Sequence, residues 1–396
     1  MKIMSINSGS SSLKFKLFEM PEEKVITEGV FERITFKEEG IYTIKINGEK
    51  IKEFLPLPNH AVAVERLLKD LVDRKIISSL SEIKGVGHRI VQGGKYFDKS
   101  VLVDSWAKDR IRELIDLAPL HNGPHLIGIE AFEKALPNVK QVVVFDTAFH
   151  QGMEPEAFMY AVPYYWYTDY GIRKYGAHGT SHQFVANEYA RLTNQDINKL
   201  KIVTCHLGNG CSLCAIENGR CKDTSMGLTP LEGVPMGTRT GNIDPTVVSY
   251  IVEKEGKTAW EVVNELNKKS GYLGISGISN DARDLEDAMA EGNERATLAI
   301  KIQEKRIADY IGSYYLYLEG IDAIIFTAGI GENAKEYRER ICKRLEILGV
   351  VIDDEANSQR GYPFRISAPS SKIDVWVVPT NEELVIARDT MRLINE

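Results

Sequence analysis

The chain is poor in the residues that mark special environments. Of 396 residues, 5 are cysteine and 4 are tryptophan. So little cysteine argues against a disulfide-stapled scaffold and suits a reducing compartment. No apolar run nears the roughly eighteen residues that a membrane helix needs. The opening apolar stretch is cut short by polar residues 7–12, unlike a signal peptide, so a cytoplasmic location is the expectation. Positive charge is also in short supply. A net charge of −7 argues against a nucleic-acid binder, which presents a basic face. There is no Walker A motif, because Gly9 and Lys14 lack its second glycine. Neither H-E-x-x-H nor the H-R-D and D-F-G pair of protein kinases occurs. Hydrophobic and charged contents of 43% and 27% are ordinary for a soluble globular protein, and the length implies two domains.

What the chain does have is turns. Residues 2–6 form an apolar strand that enters Asn7-Ser8-Gly9-Ser10-Ser11-Ser12 and leaves as the alternating strand 13–18. Six polar residues with a glycine predict a loop rich in free N–H groups and hydroxyls, able to hold phosphate. Asn7, Ser10, Ser12 and Lys14 can point donors or ligands into it. A plain Ser-rich hairpin is the simpler account. The pattern returns where strand 201–205 enters His206-Leu207-Gly208-Asn209-Gly210-Cys211-Ser212 and leaves as strand 213–216. Self-similarity at this spacing indicates a duplicated domain rather than a solenoid. A third turn, Gly329-Ile330-Gly331-Glu332-Asn333, lies between the apolar strand 323–326 and a helix beginning near Ala334, a setting that suits a nucleotide. It has a rival reading. Gly329-x-Gly331-x-x-Ala334 with Asp353 matches a dinucleotide fingerprint, which would make the chain an NAD-linked oxidoreductase. That fingerprint normally opens a domain, whereas here it follows two phosphate hairpins.

Helical spacing of apolar residues predicts helices over 60–75, 106–117, 125–136, 293–318 and 381–394. Another runs to 192 with Thr180 or Ser181 as its cap, and one starts at Asp244-Pro245. Tyr310, Tyr314, Tyr315 and Tyr317 read most simply as core, with a subunit interface as the alternative. Residues 83–86 and 141–145 read as buried strands, the second ending at Asp146. Strands first and helices after, given twice, predict an α/β protein with two similar halves, 1–150 and 151–383, and a seam just after His150.

Several side chains suit chemistry. Arg89, in Gly87-His88-Arg89-Ile90-Val91-Gln92-Gly93-Gly94, and Arg239, in Gly237-Thr238-Arg239-Thr240-Gly241, stand among glycines rather than other charges. An arginine placed so faces an anion, which its planar fork grips through two bonds. Asp146 ends a strand, where active sites of open α/β sheets collect. Glu382 opens the last helix, either complementing its dipole or serving magnesium through water. His178 and His182 are four apart, as are His121 and His125. Gly-Thr-Ser and Gly-Pro within those pairs argue against a shared metal, and a single histidine donating to a moving phosphoryl group is preferred. Cys205, Cys211, Cys214 and Cys221 cluster around His206 and invite a zinc site. Only one C-x-x-C pair is present, and the hairpin already accounts for the segment with its thiols buried. The polar loop 274–283 offers room for a nucleoside.

Three phosphate turns, two arginines, a histidine and scattered acids suit phosphoryl transfer. The chain resembles the acetate kinase family, within the superfamily of acetate and sugar kinases, Hsp70 and actin. The resemblance rests on Asn7-Ser-Gly-Ser-Ser-Ser-Leu-Lys14, Gly87-His-Arg-Ile-Val91, Ala118-Pro-Leu-His-Asn122, Phe145-Asp-Thr-Ala-Phe-His150, Tyr170-Gly-Ile-Arg-Lys-Tyr-Gly176, His178-Gly-Thr-Ser-His182 and His206-Leu-Gly-Asn-Gly210. It continues through Asp223-Thr-Ser-Met-Gly-Leu-Thr-Pro-Leu-Glu-Gly233, Met236-Gly-Thr-Arg239, Thr327-Ala-Gly-Ile-Gly-Glu-Asn333 and Pro379-Thr-Asn-Glu-Glu383.

The resemblance implies two actin-like, ribonuclease H-like domains with the active site in the cleft between them, the first domain completed by about 384–396. It implies reversible transfer from ATP to acetate with magnesium (manganese as the alternative ion), and a homodimer. Arg89 and Arg239 would hold carboxylate and phosphoryl, His178 would stabilise the transition state, and Asp146 would order substrate and arginines. Asn7 and Glu382 would serve the metal. Lys14, His206, Leu207, Gly208, Asn209 and Gly210 would hold nucleotide phosphate. Asp281, Ala282, Arg283, Gly329, Ile330, Gly331, Glu332 and Asn333 would frame the nucleoside. Val91, Leu120, Ala177 and Pro230 would line the methyl pocket. The chain departs from the family in carrying Gln92 for a histidine, Ala177 for a phenylalanine and Asn242 for an aspartate. Ala177 enlarges the expected acyl pocket, and propionate is the alternative substrate. A nucleotide-driven clamp of the Hsp70 or actin kind is a further alternative, weakened by the lack of a partner-binding module.

Overall fold

Two β-sheets, one in each of two units, organise the chain in a computed structural model that describes residues 1–36, 39–119 and 121–396. The first unit comprises Met1–Phe149 with Asn381–Glu396. Its strands are β1 (Lys2–Ser8), β2 (Ser12–Glu19), β3 (Lys24–Glu32), β4 (Gly40–Ile46), β5 (Glu49–Leu55), β6 (Ile83–Ile90), β7 (Val101–Leu102) and β8 (Lys140–Phe145). They lie in the order β5-β4-β3-β2-β1-β6-β8-β7. β1 and β2 pair antiparallel with Asn7 opposite Lys14, while β6 runs parallel to β1 and to β8.

Burial explains the helices. Leu13, Phe15 and Leu17, alternate residues of β2, point into a cluster with Val64, Leu67, Leu68 and Leu71 of the helix His60–Asp73. Asn59 starts that helix by accepting the Val62 N–H. On β8 the period of two sorts Val143 and Phe145 toward Ile111, Leu126 and Ile129, and Val142 and Val144 toward Ile386 of the last helix, Glu382–Asn395.

The last helix needs glycine on β6. A Cβ at Gly87 would stand 2.2 Å from Thr390 Oγ1 and 2.5 Å from Ile386 Cγ2. Gly87→Ala is therefore expected to cost about 1–3 kcal/mol of stability through overpacking, read by denaturant unfolding. An unchanged midpoint would mean that the helix shifts freely.

The second unit is His150–Thr380. Its strands are β9 (Lys201–Leu207), β10 (Cys211–Glu217), β11 (Arg220–Thr224), β12 (Ala323–Thr327), β13 (Phe364–Arg365) and β14 (Asp374–Val377). The order β11-β10-β9-β12-β14-β13 repeats β3-β2-β1-β6-β8-β7 strand for strand, with the same directions. The duplication expected from the two hairpins is thus a whole six-stranded sheet, to which the first unit adds the hairpin β4-β5. The long helix Glu294–Tyr317 buries Ala296, Ala299, Ile300, Gln303, Ile307, Ile311 and Tyr314, a stripe at spacings of three and four.

Some local expectations fail for identifiable reasons. The helix read over 106–117 is α-helical for Ser105–Glu113 and closes as a tighter 3-10 turn, Leu114–Leu117. The cap before Gly179–Leu192 is His178, with left-handed backbone at φ 57°, rather than Thr180 or Ser181. Those two hydroxyl residues lie buried inside the first turn. Of the four tyrosines, Tyr314 is buried but Tyr317 is 39% exposed. No helix among the described residues is long and apolar enough to cross a membrane.

Candidate active site

In the first unit the reactive groups stand at the carboxyl ends of parallel strands. Arg89 lies one residue from the end of β6, and Asp146 follows β8 directly. Their pairing follows from the register, which puts Ile90 beside Phe145. Arg89 Nε donates to Asp146 Oδ1 at 3.0 Å and Nη2 donates to Oδ2 at 2.6 Å, a two-pronged contact. Burial disfavours charge on the guanidinium, but Asp146 and then Glu382 more than offset it and raise the Arg89 pKa. Burial likewise pushes Asp146 up while Arg89 pulls it down. Glu382 bears on both, so the first residue of the last helix belongs to this group. Asn7, Lys14 and Glu383 line a cavity of about 290 Å³ with Ser5, Lys16 and Glu28.

The loop between β1 and β2 is shorter than the sequence suggests. β1 continues through Ser8 and β2 begins at Ser12, with Gly9 N–H donating to Ser12 O at 2.8 Å. Asn7 is therefore a strand residue, held opposite Lys14. His60 Nε2 lies 2.8 Å from Gly9 O and ties the loop to the first helix.

The second unit gathers His178, His206, Gly210 and Arg239. The rings of His178 and His206 stack with centroids 4.1 Å apart. An ideal side chain at Gly210 would lie 3.6 Å from His178 Nε2 and 3.7 Å from the Arg239 guanidinium, so both groups border one space. Arg239 Nη1 donates to Pro230 O at 2.9 Å and approaches Met236 Sδ at 3.5 Å. No carboxylate pairs with Arg239 among the described residues, and burial lowers its pKa. A half-buried guanidinium with spare donors is suited to an anion.

The histidine pairs do not read as metal sites here. His178 Nδ1 and His182 Nε2 converge on Ser212 Oγ, at 2.8 and 2.7 Å, and His182 Nδ1 takes Thr204 Oγ1 at 2.7 Å. Both nitrogens of His182 are thus used by hydroxyls. His121 and His125 have ring centroids 6.4 Å apart.

Around this space the other expected residues take varied positions. Gly208 approaches Ala328, and Gly237 lies so close to Asn209 and to the Asn280 carbonyl that a Cβ there would stand 1.9 and 2.7 Å from them. The second hairpin therefore abuts both the 328–333 turn and the segment leading to Asp281. The Leu207 side chain is buried in the apolar core, which leaves its backbone to a ligand, and Ile330 packs partly against the same core. Asp281 caps the helix Ala282–Ala290 and pairs with the exposed Arg283. Gly329–Asn333 is not an open loop but part of a helical turn, Ala328–Asn333. Glu332 Oε1 accepts the N–H groups of Ala328 and Thr380, and Asn333 Nδ2 donates to Gly329 O. Val91 and Ala177 are buried. Leu120 lies outside the described residues. Gln92 Oε1 accepts the Gly94 N–H, and Asn242 bridges the Gly233 N–H to the Tyr310 hydroxyl, so both departures from the family pin loops.

The dinucleotide reading fails on topology. Gly329 follows the second parallel strand of a sheet that carries antiparallel hairpins, and Asp353 caps a turn by accepting the Ala356 N–H. Sequence reasoning missed Arg338, which is buried and donates from Nη1 to the carbonyls of Gly331 and Glu332 at 3.0 Å. It fixes the third turn from beneath. Its sequence neighbourhood, rich in charges, suggests only an exposed helix face.

The buried histidines make a pH prediction. Burial lowers His88 to about 4 and His125 to about 3, and holds His182 well below its ordinary value. Each takes up a proton less readily folded than unfolded, where the value is about 6.5. Their contribution to stability is therefore complete above about pH 6.5 and is lost as pH falls, at up to roughly 1.4 kcal/mol per unit for each. The melting temperature should drop between pH 6.5 and 4.5, before most carboxylates titrate. A flat profile across that window would refute the assignment.

A six-stranded plan used twice, with hairpin turns at the strand ends and arginines and histidines beside them, defines a phosphotransferase of the actin-like type. The chain belongs to the acetokinase family, whose sequence pattern matches residues 2–388. It is 55% identical over 394 residues to acetate kinase of Geobacillus sp. strain WCH70, covering 100% of this chain and 99% of that one. Among solved structures it is similar to acetate kinase of Porphyromonas gingivalis, with TM-score 0.95, 44% identity and 99% of both chains covered. It is also similar to a propionate kinase of Francisella tularensis, with TM-score 0.94, 42% identity and 99% of both chains covered. The chain is thus a kinase that transfers a phosphoryl group to a carboxylate.

Proposed function

We propose that the chain catalyses reversible in-line transfer of the ATP γ-phosphoryl group to the carboxylate of acetate, giving acetyl phosphate and ADP. The observation that carries this reading is Arg239, a guanidinium without a carboxylate partner among the described residues, beside the imidazole of His178. The acceptor carboxylate, with a pKa of roughly 4–5, is already ionised and needs no general base. What opposes reaction is repulsion between two anions, and fixed cations remove it. Arg89 and Arg239 bind carboxylate and phosphoryl oxygens. His178, oriented by Ser212, donates to the equatorial oxygens, and Asp146 holds the Arg89 fork in place. As the acetate oxygen bonds to phosphorus, the bond to the β,γ-bridging oxygen breaks and ADP keeps its electron pair.

The amide oxygen of Asn7 and the carboxylate of Glu382 are hard donors of the kind magnesium accepts, few in number and supplemented by water. That ion, when bound, neutralises phosphate charge. Lys14, through its ammonium group, and residues 206–210 hold nucleotide phosphates. Residues 281–283 and 329–333 frame the nucleoside. A homodimer in the cytoplasm completes the reading.

The family resemblance assigns the methyl pocket to Val91, Leu120, Ala177 and Pro230, and the small Ala177 brings in propionate as a second reading. The similarity to a propionate kinase supports it. One methylene in an apolar pocket is worth about 1–3 kcal/mol, so the kcat/KM ratio of acetate to propionate should fall below about a hundredfold. Hydroxamate trapping of acyl phosphate with acetate, propionate and butyrate, using ATP or pyrophosphate, measures both the reaction and the ratio. Absence of acyl phosphate with every acid would end the proposal, and a ratio above that limit would end the enlarged pocket.

A further inference from the structure

Two thiols that the proposed reaction leaves unused meet a histidine in the core of the second unit. Cys214 projects from β10 and Cys221 from β11, with their Sγ atoms 3.4 Å apart. His150, far away in sequence, places Nδ1 at 3.1 Å from Cys221 Sγ and 4.0 Å from Cys214 Sγ. All three residues are buried, and the three potential ligand atoms lie within 4.8 Å of one another. Cys205 and Cys211, their neighbours in sequence, belong instead to the apolar core. The group is therefore made by folding rather than by the density of cysteines along the hairpin.

The protonation of His150 follows from its other contact. Nε2 lies 2.9 Å from the Ala177 carbonyl oxygen, which only accepts, so Nε2 carries the proton. In the neutral ring Nδ1 then presents a lone pair toward the two sulfurs. An imidazole that ligates through one nitrogen and donates its other N–H to a backbone carbonyl is the usual support for a metal-bound histidine.

We propose that His150, Cys214 and Cys221 form a zinc site in the core of the second unit. Two sulfurs and an imidazole nitrogen select a thiophilic cation over magnesium or calcium. A divalent ion suits the dry surroundings, because two thiolates cancel its charge and leave the buried group neutral. Binding releases one proton from each thiol to solvent and changes no oxidation state. The ion would reach no substrate. It would lock the His150 ring, and with it the Ala177 carbonyl at the entrance to the helix headed by His178. The backbone is tight there: a Cβ at Gly176 would stand 2.5 Å from His150 Cδ2.

The test uses the full-length chain, reduced, stripped with a chelator and dialysed against zinc or cadmium. The expected result is one ion retained per chain, an ultraviolet thiolate-to-cadmium charge-transfer band, and a higher unfolding temperature in the zinc form. Cys214→Ala and Cys221→Ala should each abolish the band, whereas Cys205→Ala and Cys342→Ala should retain it. Should a core variant fail to fold, the wild-type protein still decides. One zinc retained per wild-type chain, with release of protons on binding, supports the site. No retained ion, or retention that survives loss of both Cys214 and Cys221, overturns it. So does a count of three thiols in the denatured, unreduced chain, which would make the pair a disulfide.

Discussion

Arg239→Ala is expected to lower kcat by about 10³-fold or more while changing stability by less than about 1 kcal/mol. The two effects separate because of what Arg239 touches. Its partners are a carbonyl oxygen and a thioether, at Pro230 and Met236, and neither is left charged when the guanidinium goes. Burial already works against its charge, so removing it relieves a cost as well as losing bonds. The reaction has no such substitute. Two anions must be brought together in a site with little water, where a fixed cation acts far more strongly than in solvent. Hydroxamate trapping reads the turnover, and denaturant unfolding reads the stability. Near-wild-type turnover in a folded variant would strip Arg239 of its role.

Arg89→Ala should lose turnover and stability together. Asp146 is fully buried, and its partner is the two-pronged Arg89 fork. Removing the arginine strands a carboxylate, at a cost of about 3–5 kcal/mol. The deficit has a sign that can be checked against pH. Burial already raises the folded Asp146 pKa with Arg89 in place, and without the arginine it rises further above the unfolded value of about 3.9. The folded variant then binds the proton more readily than the unfolded one. Its deficit relative to wild type is largest at neutral pH and shrinks as pH falls through the variant's folded pKa toward the lower one of the wild type, leaving only the loss of uncharged contacts. The double variant Arg89→Ala, Asp146→Ala should be more stable at neutral pH than Arg89→Ala alone, because no charge remains to be buried. Equal instability of the two at all pH values would show that packing, not charge, holds the pair together.

These contrasting expectations could not be drawn from the chain alone, where Arg89 and Arg239 look alike. Each stands between glycines and apolar residues. The difference lies in what arrives from elsewhere. β8 delivers Asp146 beside β6 because the two strands run in parallel register. The loop holding Arg239 folds back on Pro230 instead, and meets a hydrogen-bond acceptor without charge.

Much of the architecture was nevertheless legible. Alternation along residues 13–18, the apolar runs 141–145 and 201–205, and the three-and-four spacing through 60–75 and 293–318 mark elements that appear within a few residues of their expected limits. Periodicity is a local property, and the sheet faces and helix stripes that it encodes are buried as expected. The repeated strand-turn-strand pattern also disclosed the duplication.

The caps and loops were harder. Thr180 and Ser181 have the chemistry of helix caps, yet His178 takes that position in left-handed backbone. Tertiary contacts account for this, because Ser181 is claimed by His206 and Thr380. Nothing in the sequence around Glu332 showed that its carboxylate clasps the N–H groups of Ala328 and Thr380. The cysteines along the second hairpin suggested one cluster. Folding divided them, sending two into the apolar core and two toward His150.

By itself the order of residues determined the elements, the doubling of the sheet and the list of groups fit for phosphoryl transfer, since each of these is written in local spacing and side-chain type. Which cation is paired and which is spare, which hydroxyl orients which imidazole, and which thiols meet a histidine were decided only when distant segments packed. Charge and hydrogen bonding act over a few ångströms of space, and no distance along the chain reports that separation.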